Sequence, residues 1–372
     1  MVSILSNFYF FQLNVTFKIL FSLNFSVIYM ADIDIMQFLK KYGEPIQRDT
    51  IKFLQKEKPS KLKEMMLEYP SRGGKHLRSV LAVQSCKAFG GNPKKMKHIA
   101  VALELFQHWI LIHDDIEDFS EERRGKPALH KIYGIPLANN TGDALHLKMW
   151  KLLFSKENRK LLGDELTFKV LDEVADMSLR CTRGQSMELE WVFEKKWDID
   201  ESDYYTMVKG KTCGYTFITP FRLGGIVAGI SDKKLADFED IGNDLGIAFQ
   251  IEDDVLNLIG EEGKYGKEIA GDLYEGKRTL ILIHLMKHAT KEEKEKIVSI
   301  MNKDRKDKTK EEIDYILSLM KKYGSIDYAI EKARFFAKRA KKNFDKKFSF
   351  MKDSEAKRFI DGLFDFVVNR EM

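Results

Sequence analysis

The chain has 372 residues, enough for one large domain or two ordinary ones, and its mean hydropathy of −0.34 with 44% hydrophobic residues is typical of a globular protein. The net charge is +5, from 62 basic and 57 acidic residues, a balance too even to indicate nucleic-acid binding. The three cysteines are far apart and form no CxxC pair, which argues against a disulfide framework or a zinc site and fits a reducing cytoplasm.

Residues 1–30 differ in composition from everything that follows, because they are rich in aromatic residues and carry a single charge, Lys18. Polar residues interrupt the segment, so it lacks the run of about 18 apolar residues that a transmembrane helix needs. Three alternatives stay open: an upstream start, with translation beginning at Met30 or Met36; a segment that makes transient membrane contact; or disorder. We expect the functional domain to comprise residues 31–372.

The remaining chain has the composition of long helices. Seven prolines occur in all, none of them after Pro220, and no run of short alternating strands is present. Residues 32–68 have helical spacing, and we expect breaks at Pro45 and Pro59. The pattern therefore predicts an all-α fold.

Two later stretches also have an expected conformation. Residues 164–195 are predicted to form two helical pieces. Residues 303–312, KDRKDKTKEE, are predicted to form a solvated linker between helices, because charged runs usually face water.

The first candidate binding element is SRGGKHLRS. Gly73 and Gly74 allow a tight turn before a helix. Lys75 and Arg78 are three residues apart, so both side chains can face one anion.

An acidic motif lies within the apolar stretch LELFQHWILIHDDIEDFSEERRGKP. Its Asp114, Asp115 and Asp118 occupy positions i, i+1 and i+4 of a predicted helix, which share one face. Carboxylates so placed repel one another unless a cation neutralises them, and Mg²⁺, with Mn²⁺ as the alternative, prefers such oxygen ligands. Arg123 and Arg124 follow, and their planar guanidinium groups suit phosphate oxygens.

A second acidic motif occurs in FQIEDDVLN, where Asp253 and Asp254 are adjacent and Asn257 stands at i+4. Two acidic clusters on apolar helices can face each other across a bundle core and hold several metal ions.

Lysines accompany both motifs. Lys211 and Thr212 lie between two glycines that would permit a local break in a helix. Lys267 and Lys277 belong to a glycine-rich stretch after the second motif, which is typical of a flexible lid over phosphates.

DDxxD followed by RRG, and FQxxDD followed by GK and EGK, make the chain similar to the trans-isoprenyl diphosphate synthases of the polyprenyl synthetase family. The resemblance covers roughly residues 40–372 and is greatest to geranylgeranyl and farnesyl diphosphate synthases. It implies a single helical bundle of the isoprenoid synthase type with a central apolar cavity. It also implies a cytoplasmic, homodimeric, Mg²⁺-dependent prenyltransferase that condenses isopentenyl diphosphate with dimethylallyl, geranyl or farnesyl diphosphate.

The resemblance also assigns roles to individual residues. The main metal ligands would be Asp114, Asp118 and Asp253, with Asp115 and Asp254 supporting them. The catalytic groups would be Asp114, Asp118, Asp253 and Lys211. The allylic diphosphate would be held by Arg123, Lys211 and Lys277, and isopentenyl diphosphate by Lys75, Arg78, Gln107 and Arg124. Further substrate contacts would come from Thr212, Gln250 and Lys267. The chain departs from the family at Glu188, which replaces the Asp of a GQxxD pattern that begins at Gln185, and at Asn257, where many members carry Asp.

Product length should depend on bulky residues before Asp114. Helix geometry places Ile110 and Phe106 on its face, whereas Trp109 is rotated by about 140°. The resemblance instead points to Trp109, because large aromatic residues five positions before the motif form the cavity floor in many short-chain synthases. We therefore predict that Trp109 limits the product to C20 or shorter.

Two other functions are open to a chain with these motifs. A class I terpene cyclase shares the bundle and one acidic motif, but it would not need GGKxxR or the RRG pair. A non-catalytic partner subunit would lose acidic motifs, whereas this chain keeps the first and departs in the second only at Asn257.

Overall fold

The computed structural model describes residues 33–260 and 268–369, and within these ranges the chain is built almost entirely of helices. The β structure found there is a short hairpin in which Glu122–Arg123 (β1) pairs antiparallel with Lys126–Pro127 (β2). The prediction of an all-α fold is thereby confirmed. The predictions for residues 1–30 and for Lys267 concern residues outside these ranges. None of the described helices is long and apolar enough to cross a membrane.

Eight α-helices lie in the described residues 33–193. They are α1 (Ile35–Leu54), α2 (Ser60–Ser71), α3 (Leu77–Ala88), α4 (Lys97–Glu117), α5 (Leu129–Tyr133), α6 (Ile135–Leu153), α7 (Lys156–Leu162) and α8 (Asp164–Phe193). A 3₁₀ turn at Pro93–Met96 leads into α4.

The second half begins with a nearly continuous helical run, in which α9 (Glu201–Val208) passes through a wider π-helix (Lys209–Ile218) into α10 (Thr219–Val227). The later helices are α11 (Asp232–Ala236), α12 (Phe238–Ile259), α13 (Gly271–Glu275), α14 (Leu280–His288), α15 (Lys291–Met301), α16 (Lys310–Lys322), α17 (Ser325–Lys347) and α18 (Glu355–Val368). A 3₁₀ turn at Arg305–Asp307 precedes α16.

The expected break at Pro45 is wrong, because α1 continues through it. Proline removes one backbone donor from the helix, and the exposed position of Pro45 lets its ring face water. The opposite face of α1 buries Phe38, Leu39 and Leu54, and this packing holds the helix together. The break at Pro59 is present, between α1 and α2.

The expectation of two helical pieces over residues 164–195 is also wrong, because α8 is one helix of 30 residues. Gly184 does not interrupt it, since a single glycine costs a helix only about 1 kcal/mol relative to alanine. Close packing requires glycine at position 184, because a Cβ there would lie 2.0 Å from the backbone nitrogen of Lys211. The π-helix therefore packs against α8 backbone to backbone.

The long helices pack around a cavity of about 450 Å³. α4 packs on α6, α12 packs on α17 and on the π-helix, and the π-helix packs on α8. The cavity is lined mainly by α4, α8, the π-helix and α12, with apolar side chains such as Phe106 and Phe249 at one part and acidic ones at another. This arrangement brings both acidic motifs to one space.

Candidate active site

The first acidic motif lies at the end of α4, where the helix stops and Asp118 forms its C-cap. Asp114 Oδ1 is 3.2 Å from the Lys211 ammonium, and its Oδ2 is 3.3 Å from Arg123 Nη2. Asp118 Oδ2 is 2.6 Å from Lys277 Nζ. These two carboxylates thus meet lysines from two other elements.

Asp115 is the most buried aspartate of the motif, and its expected role as a supporting metal ligand stays a prediction. Its side chain is fully buried and lies outside the cavity lining. Arg123 donates to it from Nε and Nη2, and the Tyr69 hydroxyl donates to Oδ2 at 2.5 Å. The cause is helix geometry, because a residue at i+1 is rotated by about 100° from residue i. Asp115 therefore holds the hairpin and α2 to α4.

The second acidic motif lies on α12, and its two adjacent aspartates also differ in their contacts. Asp253 and Asp254 both line the cavity. However, Asp254 accepts hydrogen bonds from the Tyr204 hydroxyl at 2.7 Å and from Gln250 Nε2 at 2.9 Å. Each of its oxygens thus accepts one hydrogen bond. The expectation that Asp253 is a main ligand and Asp254 a supporting one stays a prediction.

Gln250 connects this motif to the π-helix. Its amide oxygen accepts a hydrogen bond of 2.7 Å from Thr212 Oγ1, while its Nε2 donates to Asp254. This chain of hydrogen bonds fixes α12 against the π-helix. Thr212 and Gln250 also line the cavity, and their expected substrate contacts stay a prediction.

Lys211 projects from the π-helix between two carboxylates. Its ammonium contacts Asp114 and also Glu188 of α8. Burial opposes the charge on Lys211, but these two carboxylates outweigh it and raise its pKa. The wider turn of a π-helix often marks a functional site, and here it sets the lysine opposite α4. The expected supporting role of Gln185 fits its donation to Glu117 at 2.7 Å.

Lys277 occupies the corresponding position near Asp118. Its ammonium is 2.8 Å from Glu275 Oε2 and 3.7 Å from Asp272 Oδ1. Burial raises the pKa of Asp118 well above its ordinary value, and the positive charge of Lys277 acts in the opposite direction. The site therefore concentrates carboxylates whose charges need cations close by.

The carboxylates of the site are of the chemical type that binds divalent metal ions. No group of three His, Cys, Asp or Glu side chains forms a ready-made metal centre in residues 33–260 and 268–369. Mg²⁺ commonly binds through one or two carboxylates together with water and substrate phosphates, so it needs no such cage. The carboxylates of Asp114 and Asp253, which line one cavity from two helices, fit that mode of binding.

Basic and amide groups gather at the start of α3. Arg78 donates to Thr216 Oγ1 at 3.0 Å, and its guanidinium lies 4.2 Å from the centre of the Tyr215 ring. Gln107 lines the cavity, and its buried Oε1 has no hydrogen-bond partner among the described residues. Lys75 lies 5.9 Å from the Phe366 ring and outside the cavity lining.

Arg124 crosses the glycine turn, where it donates to the carbonyl oxygens of Tyr69 and Gly73. Gly74 has φ +156°, and a Cβ there would lie 3.0 Å from Arg124 Nη2. Glycine is therefore needed for this approach. Burial lowers the pKa of Arg124 to about 10, which leaves it a cation at neutral pH.

The apolar part of the cavity contains all three expected length-determining residues, Phe106, Trp109 and Ile110. The Trp109 ring stacks on His146 of α6, with centroids 3.9 Å apart and planes at 14°. His146 Nε2 in turn accepts a hydrogen bond of 2.8 Å from Trp150 Nε1. One face of the Trp109 indole is thus packed against α6.

Asn257 holds neighbouring backbone in place. Its side-chain oxygen accepts a hydrogen bond of 3.1 Å from the Asp272 backbone N–H, and its own carbonyl oxygen accepts one of 2.7 Å from Ala270. Its amide therefore fixes the start of α13.

Several site residues were not predicted from the sequence. Tyr69 and Tyr204 are buried tyrosines that no motif marks, and Glu275 becomes significant only through its contact with Lys277. Glu117 could have been found, because it stands at i+3 from Asp114 and such residues share a helix face.

Comparison with known proteins gives consistent matches over most of the chain. The profile of the polyprenyl synthetase family matches residues 59–320. A short chain isoprenyl diphosphate synthase of Methanothermobacter thermautotrophicus is 30% identical, over 91% of this chain and 99% of the relative. A geranylgeranyl diphosphate synthase of Saccharolobus solfataricus is 35% identical, over 73% of this chain and 83% of the relative.

Solved structures agree. The crystal structure of a geranylgeranyl pyrophosphate synthetase from Pyrococcus horikoshii superposes with a TM-score of 0.78 at 33% identity. It covers 91% of this chain and 99% of that chain.

Proposed function

The chain belongs to the polyprenyl synthetase family and is a short-chain prenyltransferase, and we propose that its main product is geranylgeranyl diphosphate. Farnesyl diphosphate is the alternative product. The observation that carries the proposal is Trp109, a large side chain that lines the apolar part of the cavity and is held in place by His146.

We also propose that the enzyme uses Mg²⁺ or Mn²⁺, held by Asp114 and Asp118 from α4 and by Asp253 from α12. When bound, the metal ions neutralise the diphosphate and make it a better leaving group. The support is the chemistry of the site, in which two acidic motifs share a cavity with the buried cations Lys211 and Lys277.

The lysines have a direct part in this mechanism. Lys211 and Lys277 donate to the oxygens of the allylic diphosphate, so that negative charge developing on the leaving group meets fixed ammonium groups in a buried site. Arg123 contacts both Asp114 and Asp115, and we assign it to orienting the motif.

The second substrate, isopentenyl diphosphate, is held by Arg78, Gln107 and Arg124, with Lys75 at the entrance. As the allylic C–O bond breaks, the double bond of isopentenyl diphosphate forms a new C–C bond with the allylic carbon. A proton then leaves the adjacent carbon and is taken by the released diphosphate, so no side chain is needed as a base. The apolar walls exclude water that would otherwise trap the cation.

Product analysis tests this function. The purified chain is incubated with labelled isopentenyl diphosphate and, separately, dimethylallyl, geranyl or farnesyl diphosphate. We expect a C20 diphosphate from each primer. Hydrocarbon formed from an allylic diphosphate alone would instead indicate a terpene cyclase, and inactivity without a second protein would indicate a partner subunit.

We propose that the enzyme is a homodimer that forms through the outer faces of α6 and α8. These faces expose large apolar side chains that a water-facing helix rarely carries in such number. They are Leu147, Phe154, Phe168, Leu179 and Phe193, each more than half exposed. Light scattering should give a dimer mass for the wild type and a monomer for Phe168→Glu/Leu179→Glu. A monomeric wild type would refute this.

We propose a cytoplasmic location and a catalytic domain formed by residues 31–372. The buried cysteines Cys86, Cys181 and Cys213 are unpaired, as expected in a reducing compartment. All matched motifs follow Met30. A chain that begins at Met30 should keep full activity and stay in the soluble fraction. Loss of activity, or membrane sedimentation of the full chain alone, would assign residues 1–30 a role.

A further inference from the structure

The charged run at residues 303–312 contains a buried lysine, contrary to the expectation of a solvated linker. Lys308 is only 7% exposed. Its ammonium donates to the carbonyl oxygens of Leu273 at 3.0 Å and of Tyr274 at 2.7 Å. No carboxylate forms an ion pair with it in the described part of the chain. Lys308 is therefore committed to the backbone of α13.

The two carbonyl groups belong to the last turn of a short helix, where few backbone donors remain. The Leu273 carbonyl also accepts a hydrogen bond of 3.2 Å from the Gly276 N–H, and Lys308 is a second donor to it. α13 ends at Gly276, which has φ +83°, a conformation that favours glycine. A Cβ at Gly276 would lie 3.5 Å from Lys308 Nζ. A cation at this position also interacts favourably with the negative end of the helix dipole.

The position of Lys308 is fixed from its own side. Thr309 is the N-cap of α16 and forms a capping box with Glu312. The backbone that carries Lys308 therefore enters a well-capped helix, and the lysine can act as a rigid support for α13.

Arg305, three residues earlier, holds the same element through a side chain. Its Nη1 is 3.4 Å from Glu275 Oε1, which also accepts a hydrogen bond of 3.2 Å from Ser120 Oγ. The other oxygen of Glu275 is 2.8 Å from Lys277 Nζ. Residues 305–308 thus contact α13 immediately before the lysine that faces Asp118.

We propose that Lys308 is a positioning residue for Lys277. By capping α13, it fixes the position of the Lys277 ammonium relative to Asp118 and the allylic diphosphate. This inference rests on the proposed function, in which Lys277 contacts that diphosphate. Arg305 supports the same geometry through Glu275. Among the described residues, the hydrogen bonds of the Lys308 ammonium go to α13 and none goes to α3 or α4, which build the isopentenyl diphosphate side.

The test compares Lys308→Met with Lys306→Met. Methionine keeps an unbranched stem of similar length and removes all three donors. Lys306 belongs to the same segment but is exposed and has no ion pair in the described residues, so its variant is the matched control. Steady-state constants are measured for each substrate, together with melting temperature.

We expect Lys308→Met to raise KM for the allylic substrate about tenfold and to lower kcat, the scale of one lost net hydrogen bond. KM for isopentenyl diphosphate should change less than about twofold, and Lys306→Met should match the wild type. Lys308→Arg should restore part of the loss, because a guanidinium can also donate to two carbonyl groups.

A double-mutant cycle shows whether Lys308 acts through Lys277. In a Lys277→Ala background, Lys308→Met should add less than about twofold, since the group it positions is gone. Should Lys308→Met fail to fold, Arg305→Met carries the same comparison. Equal changes in both KM values, a change in melting temperature alone, or full additivity in the cycle would overturn the proposal. An inactive wild type would instead refute the proposed function.

Discussion

The hydroxyl of Tyr69 lies 2.5 Å from Asp115 Oδ2 and accepts a hydrogen bond of 3.0 Å from the Leu129 backbone N–H. A second tyrosine, Tyr204, makes the equivalent contact with Asp254 at 2.7 Å. In each acidic motif, therefore, one aspartate of the adjacent pair accepts a hydrogen bond from a buried tyrosine. The other aspartates of the two pairs, Asp114 and Asp253, line the cavity.

Tyr69→Phe should test this division. The variant leaves Asp115 with Arg123 but without its second donor, so the free energy of unfolding should fall by about 1–3 kcal/mol. Activity should fall less than about tenfold, because Asp115 does not face the substrates. Tyr323→Phe, which removes a partly buried tyrosine–carboxylate contact of 2.5 Å with Glu293, remote from the acidic motifs in sequence, is the control. A loss of activity in Tyr69→Phe as large as in Asp114→Asn would show that Asp115 binds metal directly.

Trp109→Ala should lengthen the product. Removing the indole opens the space in front of His146, so the growing chain can extend and products of C25 or longer should appear on chromatography. Phe106→Ala and Ile110→Ala serve as comparators, because both residues line the same cavity. An unchanged product distribution in Trp109→Ala, with a shift only in a comparator, would place the limit elsewhere.

His108 should make the fold sensitive to mild acid. Burial, assisted by Arg124, lowers its pKa to about 3, against the opposing charge of Glu104. In the unfolded chain His108 takes up a proton near pH 6.5, whereas in the folded chain it stays neutral until the pH approaches 3. The contribution of neutral His108 to the free energy of unfolding is therefore complete above pH 6.5. It decreases as the pH falls toward 3, by about 2 kcal/mol at pH 5.

Denaturation from pH 7 to pH 5 measures this effect. The fall in unfolding free energy should be smaller in His108→Gln than in the wild type. His288→Gln, at an exposed position on α14, is the control. The same pH slope in His108→Gln and the wild type would show that His108 is not held neutral.

Asn257→Asp should change activity less than about tenfold, because either side chain can accept the Asp272 N–H and no substrate contact is gained. The control is Asn302→Asp, which is remote from the acidic motifs and accepts a hydrogen bond from Trp197. A hundredfold or larger increase in the activity of Asn257→Asp would mean that the natural asparagine strongly reduces catalysis.

The sequence predicted the helical class and the meeting of the two motifs, because both follow from local spacing and from recognisable residue patterns. It also favoured Asp114 and Asp253 over their neighbours as the main metal ligands, a prediction that stays open. It did not predict Tyr69 and Tyr204, which bind those neighbours and are distant in sequence. Nor did it predict the burial of Lys308, because a charged run looks solvated until the helix end that it caps is known. Pro45 shows the same limit, since tertiary packing overrides a local helix breaker.

Divalent cations held between Asp114 and Asp253 are central to this mechanism, and a metal titration of turnover measures that dependence directly. The metal-free enzyme is assayed with farnesyl and labelled isopentenyl diphosphates while Mg²⁺ is added, beside Asp114→Asn and Asp253→Asn. We expect no product in excess EDTA, full C20 synthesis once Mg²⁺ is restored, and losses of at least about a hundredfold in both variants. Full turnover in EDTA, or near-normal rates in both variants, would contradict the mechanism.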